Sequence, residues 1–244
     1  MQGLAIARRG LAAAVLLACL TLSPAARAAE QAPLIVHSAT FERLEYRLGD
    51  GSDLVAWQGD GWVGSDEWKL RLHSEGEWAV EGGGFETLEN QLLVQHPVSD
   101  FFDLKAGLRY DAPAGPNRLY GVVGLQGLGR QWIETDAELF VSQTGAPSAR
   151  LDLDYELLVT NRIILRPSAE INVAFADDRE IAVGSGLSTT ELGARLSYDL
   201  VYRNIAPYLG VHWERAYGET ADLRRGEGEA TDSLYALLGV RLMY

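Results

Sequence analysis

The last twelve residues, Ser233 to Tyr244, alternate with a period of two. Leu234, Ala236, Leu238, Val240, Leu242 and Tyr244 share one parity, and Tyr235, Leu237, Gly239, Arg241 and Met243 share the other. Period two is the signature of a strand. One face is wholly apolar and ends on an aromatic. A strand closing an outer-membrane barrel has this form, because its apolar row meets lipid and its aromatics sit at the interface.

The same pattern recurs back through the chain. Strands are predicted over about 41–48, 54–63, 67–77, 86–95, 101–111, 118–127, 131–141, 150–159, 162–174, 189–200, 204–216 and 233–244. Leu104, Leu108, Leu153, Leu157, Leu192 and Leu196 fall on apolar parities that carry no charge, while Asp103, Arg109, Asp152, Glu191 and Arg195 fall on the other. Pro167 lacks a ladder donor and predicts a local gap or bulge. Twelve is the even count that a closed antiparallel barrel requires. Connections after the fourth, sixth, eighth and tenth strands are short. Those after the third, fifth, seventh, ninth and eleventh are longer, which predicts periplasmic turns, external loops and both termini in the periplasm. A soluble β-sandwich alternates too. The export signal, the loop alternation and the outward Leu, Trp and Tyr rows favour a twelve-stranded antiparallel transmembrane β-barrel. Closure also satisfies every strand-edge donor and acceptor in lipid.

Residues 1–28 read as a signal peptide. Arg8 and Arg9 precede an apolar run from Leu11 to Leu22, and Ala26-Arg27-Ala28 is a small-x-small cleavage site. Leu16-Leu17-Ala18-Cys19 also resembles a lipoprotein cleavage box, and Cys19 is the only cysteine. Residues 29–40 read as a short periplasmic leader and 41–244 as the barrel. The net charge of -13 becomes more negative once Arg8, Arg9 and Arg27 leave. That argues against nucleic acid as a partner and suits cations. No later stretch is apolar for long enough to form a membrane-spanning helix.

The proposed lumen is full of charge. His73 and Glu75 share a strand face, as do His212 and Glu214, because residues two apart point the same way. Glu134 and Asp136 on one predicted strand neighbour Asp152 and Asp154 on the next. These eight side chains are the metal-ligand candidates. Their commoner role would be pairing with luminal Lys and Arg. No H-x-x-x-H or C-x-x-C pair is present, so no strong zinc motif exists. No serine stands convincingly beside a histidine base and no G-x-S-x-G occurs, which argues against a hydrolase and against an enzyme generally.

Several stretches carry a family resemblance. They include Arg43-Leu44-Glu45-Tyr46-Arg47 with Gly49-Asp50-Gly51, Phe101 to Asp111, Gly124 to Leu128, Gly184-Ser185-Gly186-Leu187, and Ala206 to Arg215. Over residues 41–244 the chain resembles the copper resistance protein B family of Gram-negative outer membranes. The resemblance implies a barrel embedded in outer-membrane lipid. It also implies copper ions as ligand or cargo and a role in copper tolerance alongside periplasmic copper proteins. Members often carry a Met- and His-rich segment before the barrel. Here residues 29–40 contain one histidine, His37, and no methionine, and the only methionines are Met1 and Met243. Cu(I) favours thiolate and thioether ligands. A metal site here would use histidine, carboxylate or backbone oxygen, which suits Cu(II) better. The alternative is a structural or cation-preferring diffusion barrel without a specific metal site.

Overall fold

In a computed structural model of the chain, the described residues are 34–49, 52–112, 116–200 and 204–244. The expected signal peptide lies outside them. Thirteen strands form one antiparallel sheet: β1 (Val36–Gly49), β2 (Leu54–Gly64), β3 (Lys69–Ala79), β4 (Gly84–Pro97), β5 (Phe102–Asp111), β6 (Arg118–Leu128), β7 (Glu134–Ser142), β8 (Pro147–Asp154), β9 (Leu157–Leu158), β10 (Ile163–Ala174), β11 (Gly186–Tyr198), β12 (Ile205–Ala216) and β13 (Asp232–Met243). Each strand pairs with its neighbours in sequence, save that β8 and β9 both pair with β10 and not with each other, and β13 pairs with β1, so the sheet closes on itself.

β8 and β9 are two parts of one stave. Both pair with β10, at Asp154↔Ser168 and Leu157↔Leu165, with no change of register between them. The barrel therefore has the expected twelve staves. The interruption at Tyr155 and Glu156 follows from Pro167, which stands opposite Tyr155. The Tyr155 amide donates to the Pro167 carbonyl at 3.1 Å, but proline has no N–H to return the bond. The gap predicted beside Pro167 is thus seen on its partner strand.

β1 differs from its predicted form. It begins at Val36, which pairs with Gly64, so part of the expected leader belongs to the wall. A bulge between Phe41 and Arg43 shifts its register against β2. The extra residue lets consecutive side chains, Glu42 and Arg43, both line the lumen.

The connections are less alternating than predicted. Those over 80–83 and 143–146, expected to be longer, are tight turns. Gly82, Gly83 and Gly145 supply the positive φ values of 94°, 67° and 85° that such turns need. Among the described residues, the long external connections are 175–185 and 217–231. The second contains a helix, α1 (Gly218–Glu227), in a segment that was expected to be loop.

Leu92, Val94, Leu104, Leu108, Val123, Leu139, Leu192, Leu209 and Leu238 point outward and are exposed. An apolar surface this continuous would be a liability in water; around a barrel it is the lipid belt. Exposed aromatics mark its rims: Trp68, Phe101, Trp132 and Tyr244 at the periplasmic end, and Trp78, Phe85, Tyr110 and Phe175 at the external end.

Candidate functional site: a charged lumen in two chambers

The inward faces of the strands enclose two cavities. The periplasmic one has a volume of about 620 Å³ and is lined by Glu42, Asp60, His73, Asp103, Asp136 and Asp152, among others. The external one, about 350 Å³, is lined by Arg47, Glu77, Glu170, Glu191 and Glu214, with a roof from the two long loops. Arg43, Gln58, Glu75 and Arg150 line both.

Burying so many charges is tolerable only if they are paired and hydrogen-bonded. Glu45 is completely buried among basic groups: Arg47 Nε lies 2.7 Å away, Arg195 donates two bonds of 3.0 Å, and the Tyr208 hydroxyl donates another of 3.0 Å. Arg71 bonds Asp60 at 2.7 Å and also reaches Gln126. Lys105 Nζ sits 2.6 Å from Asp136 and 2.7 Å from Glu138. Arg109 lies 4.7 Å above the Phe140 ring and 2.7 Å from Glu89. Leu93, Tyr120, Val122 and Phe140 form a small apolar patch inside this polar interior.

One pattern runs through both chambers. Asp136 stands opposite Asp152, Asp152 opposite Glu170, Glu170 opposite Glu191, and Glu191 opposite Glu214. These five carboxylates occupy five successive staves in direct register. Like charges directly opposite one another destabilise a sheet, so the row requires cations. Lys105 meets Asp136, Arg150 lies 3.5 Å from Glu170 and Arg224 lies 2.7 Å from Glu214, while the His212 ring stands 3.5 Å from Glu191. The row begins in the periplasmic chamber and ends beneath the external loops.

The expected ligand sets fall out differently. His73 and Glu75 do approach, with Nε2 to Oε2 at 3.7 Å. Asp60, which the sequence reading did not single out, stands opposite His73 and meets Nδ1 at 3.1 Å. Its only sequence signal is its inward parity on the strand next to His73. His212 is buried but pairs with Glu191, while Glu214 turns to Arg224. Glu134 and Asp136 face Asp154 and Asp152 across β7 and β8, as their predicted adjacency implies. Among the described residues, no group of three or more His, Cys, Asp or Glu side chains is arranged to hold a metal ion.

The external roof is tied down from several sides. Arg118 forms a forked pair with Asp178 at 2.9 and 3.0 Å and reaches Glu180 at 2.6 Å. The Thr220 hydroxyl accepts from the Gly184 amide at 3.0 Å and lies 3.2 Å from its carbonyl, joining α1 to the other loop. Arg179 meets Glu219 at 2.8 Å. In the same loop, the Ser185 amide and hydroxyl hold the Asp177 carboxyl below the usual carboxylate range. No helix among the described residues is long and apolar enough to cross a membrane; crossing falls to the strands.

Comparison with known proteins gives the barrel a lineage. Residues 35–244 match the family described as "Copper resistance protein B precursor (CopB)". "Copper resistance protein B" of Escherichia coli is 39% identical over 204 residues, covering 84% of this chain and 68% of that protein. "Copper resistance protein B homolog" of Pseudomonas syringae pv. tomato is 38% identical over 203 residues, covering 83% and 68%. Among solved structures, the KdgM porin matches with a TM-score of 0.51 at 13% identity, covering 85% of this chain and 99% of its own. The NanC porin matches with a TM-score of 0.51 at 12% identity and the same coverage. At such identities the porins speak to the fold alone.

Proposed function

Because the chain belongs to the copper resistance protein B family, we propose that this outer-membrane barrel serves copper tolerance as a cation-preferring conduit that holds copper in transit rather than in a resident centre. The observation that carries this reading is the in-register row Asp136, Asp152, Glu170, Glu191 and Glu214, which links the two chambers along one wall. Carboxylate rings and rows lower the barrier to cations and raise it to anions. Two buried acceptors of the periplasmic chamber support it: neither Asp136 Oδ1 nor Gln91 Oε1 finds a hydrogen-bond donor among the described residues. Copper in transit would meet His73 with Glu75, the acidic group Glu134, Asp136, Asp152 and Asp154, then His212 and Glu214 near the external end. Periplasmic copper proteins would exchange the ion at the periplasmic mouth.

A fixed Cu(II) site is the second reading. What favours it is the Asp60–His73–Glu75 arrangement, in which one carboxylate orients a ring nitrogen of His73 and the other ring nitrogen lies beside Glu75. One pair of measurements separates the two. Reversal potentials across planar bilayers under a salt gradient should report cation preference; anion preference would overturn the conduit. Cu(II) electron paramagnetic resonance of the purified protein should show no stoichiometric nitrogen-ligated centre. A tight one-to-one centre lost in His73→Ala would replace transit with storage.

A further inference from the structure

Arg150 bridges the lumen as well as pairing within its own wall. It leaves β8, yet its Nη1 lies 3.1 Å from Glu75 of β3, and its Nη2 lies 2.8 Å from Glu89 of β4. Between β8 and β3 there are four strands one way around the barrel and six staves the other, so Glu75 stands almost opposite. Nε stays near home, 3.5 Å from Glu170 and 3.3 Å from Asn172 of β10. The guanidinium also lies 5.6 Å over the Phe140 ring. One side chain thus clasps two carboxylates across the barrel and a third on the neighbouring stave while resting on an aromatic face. Arginine suits this role, since its planar fork engages several oxygens at once and stays charged.

The position of the clasp matters as much as its contacts. Arg150 and Glu75 both belong to the small set of side chains that line the two chambers in common. They stand at the partition. We propose that Arg150 is the gate of the lumen: locked onto Glu75 and Glu89, it separates the periplasmic chamber from the external one, and its release joins them. The same guanidinium is a cationic barrier in the middle of an acidic wall. Once it swings aside, Glu75 and Glu170 are left as an acidic constriction, with Glu89 still paired to Arg109. A cation that neutralises these partners would compete with Arg150 for them, so the permeant ion itself would favour opening. This deepens the conduit reading, on which it rests for the sign of the permeant charge alone.

The roof over the external chamber is a second obstacle, so the test needs two backgrounds. Full-length protein is reconstituted in planar bilayers as wild type, as Arg150→Ala, as a variant with residues 218–227 replaced by a Gly-Ser linker, and as the combination. Heat-modifiable electrophoretic migration reports whether each is a closed barrel. Removing the helix alone should leave conductance low, and adding Arg150→Ala should raise it severalfold. If Arg150→Ala does not fold, Glu89→Gln in the same helix-less background keeps the arginine but loosens its clasp, and it too should raise conductance. A helix-less barrel that already conducts as well as the combined variant overturns the gate, as does a combined variant that conducts no better than wild type. The conduit reading fails separately. A combined variant that opens but selects anions keeps the gate and removes the cation preference. A cation-selective helix-less barrel unchanged by Arg150→Ala does the reverse.

Discussion

Asp60 and His73 face each other directly across β2 and β3, with Asp60 Oδ1 3.1 Å from His73 Nδ1. The contact turns His73 Nε2 toward Glu75, 3.7 Å away. If copper pauses in the periplasmic chamber, this is the nitrogen it would meet. In the helix-less Arg150→Ala barrel, where no gate responds to the ion, micromolar Cu(II) is expected to reduce the monovalent-cation current, and His73→Ala to relieve that block. Asp60→Asn should relieve it partly, because outer-shell carboxylates typically contribute about 10–100-fold to metal affinity. Equal block in all three proteins would move copper away from this face.

Glu45 is fully buried between Arg47 and Arg195, and its loss leaves the buried Arg195 without a carboxylate. Arg195 depends on it, Arg47 shares it with Glu77, and Tyr208 donates to it. Glu45→Ala should destabilise the folded barrel by about 3–5 kcal/mol, the range for breaking a buried pair from one side. Denaturant unfolding in lipid vesicles reads this directly. A change well under 1 kcal/mol would mean that water already screens the cluster.

The lipid belt makes a depth-dependent prediction. Leu108 points outward from the middle of the wall. Leu108→Arg should destabilise the barrel by about 2–4 kcal/mol, falling toward zero for arginine placed near either rim. The same unfolding assay, run on Trp132→Arg, supplies the rim comparison. A flat profile with depth would contradict a belt in lipid.

Arg118 fastens the loop over 175–185 to the barrel wall through Asp178 and Glu180. Arg118→Ala should speed hydrogen exchange and proteolysis across 175–185 and leave strands β2 to β5 protected. Local opening of this kind needs no global unfolding. Exchange that rises uniformly would instead make Arg118 part of the barrel's general stability.

How far the sequence speaks depends on whether a feature is local. Leu234, Leu238, Leu104 and Leu108 announce their face through alternation alone, and the even stave count follows. Pro167 even marks the gap at Tyr155, because a missing donor is a property of the residue itself. The bulge at Glu42 is not visible, since inserting one residue leaves both flanking patterns intact. Arg150 reads as one more inward charge. That it reaches Glu75 depends on barrel tilt and side-chain rotamer, neither of which has a period in the sequence. The same holds for His212, which the two-residue spacing pairs with Glu214 but which reaches diagonally across the strand pair to Glu191. The polar helix α1 carries no apolar stripe strong enough to declare itself, because it packs on a loop rather than on a core.

The seam between β1 and β13 has a kinetic meaning. Ala39 and Tyr244 exchange backbone hydrogen bonds of 3.0 and 2.9 Å across nearly the whole length of the barrel sequence. Contacts so distant along the chain form late, because a long loop must close before they reward it. Until they form, the nascent sheet has two raw edges whose amides and carbonyls cannot be left in hydrocarbon and which invite pairing with other chains. The polypeptide therefore cannot settle into lipid strand by strand. Burial of its last rim and zipping of this seam must be one event, and a chain stalled before it is a candidate for aggregation in the periplasm rather than for a half-open pore.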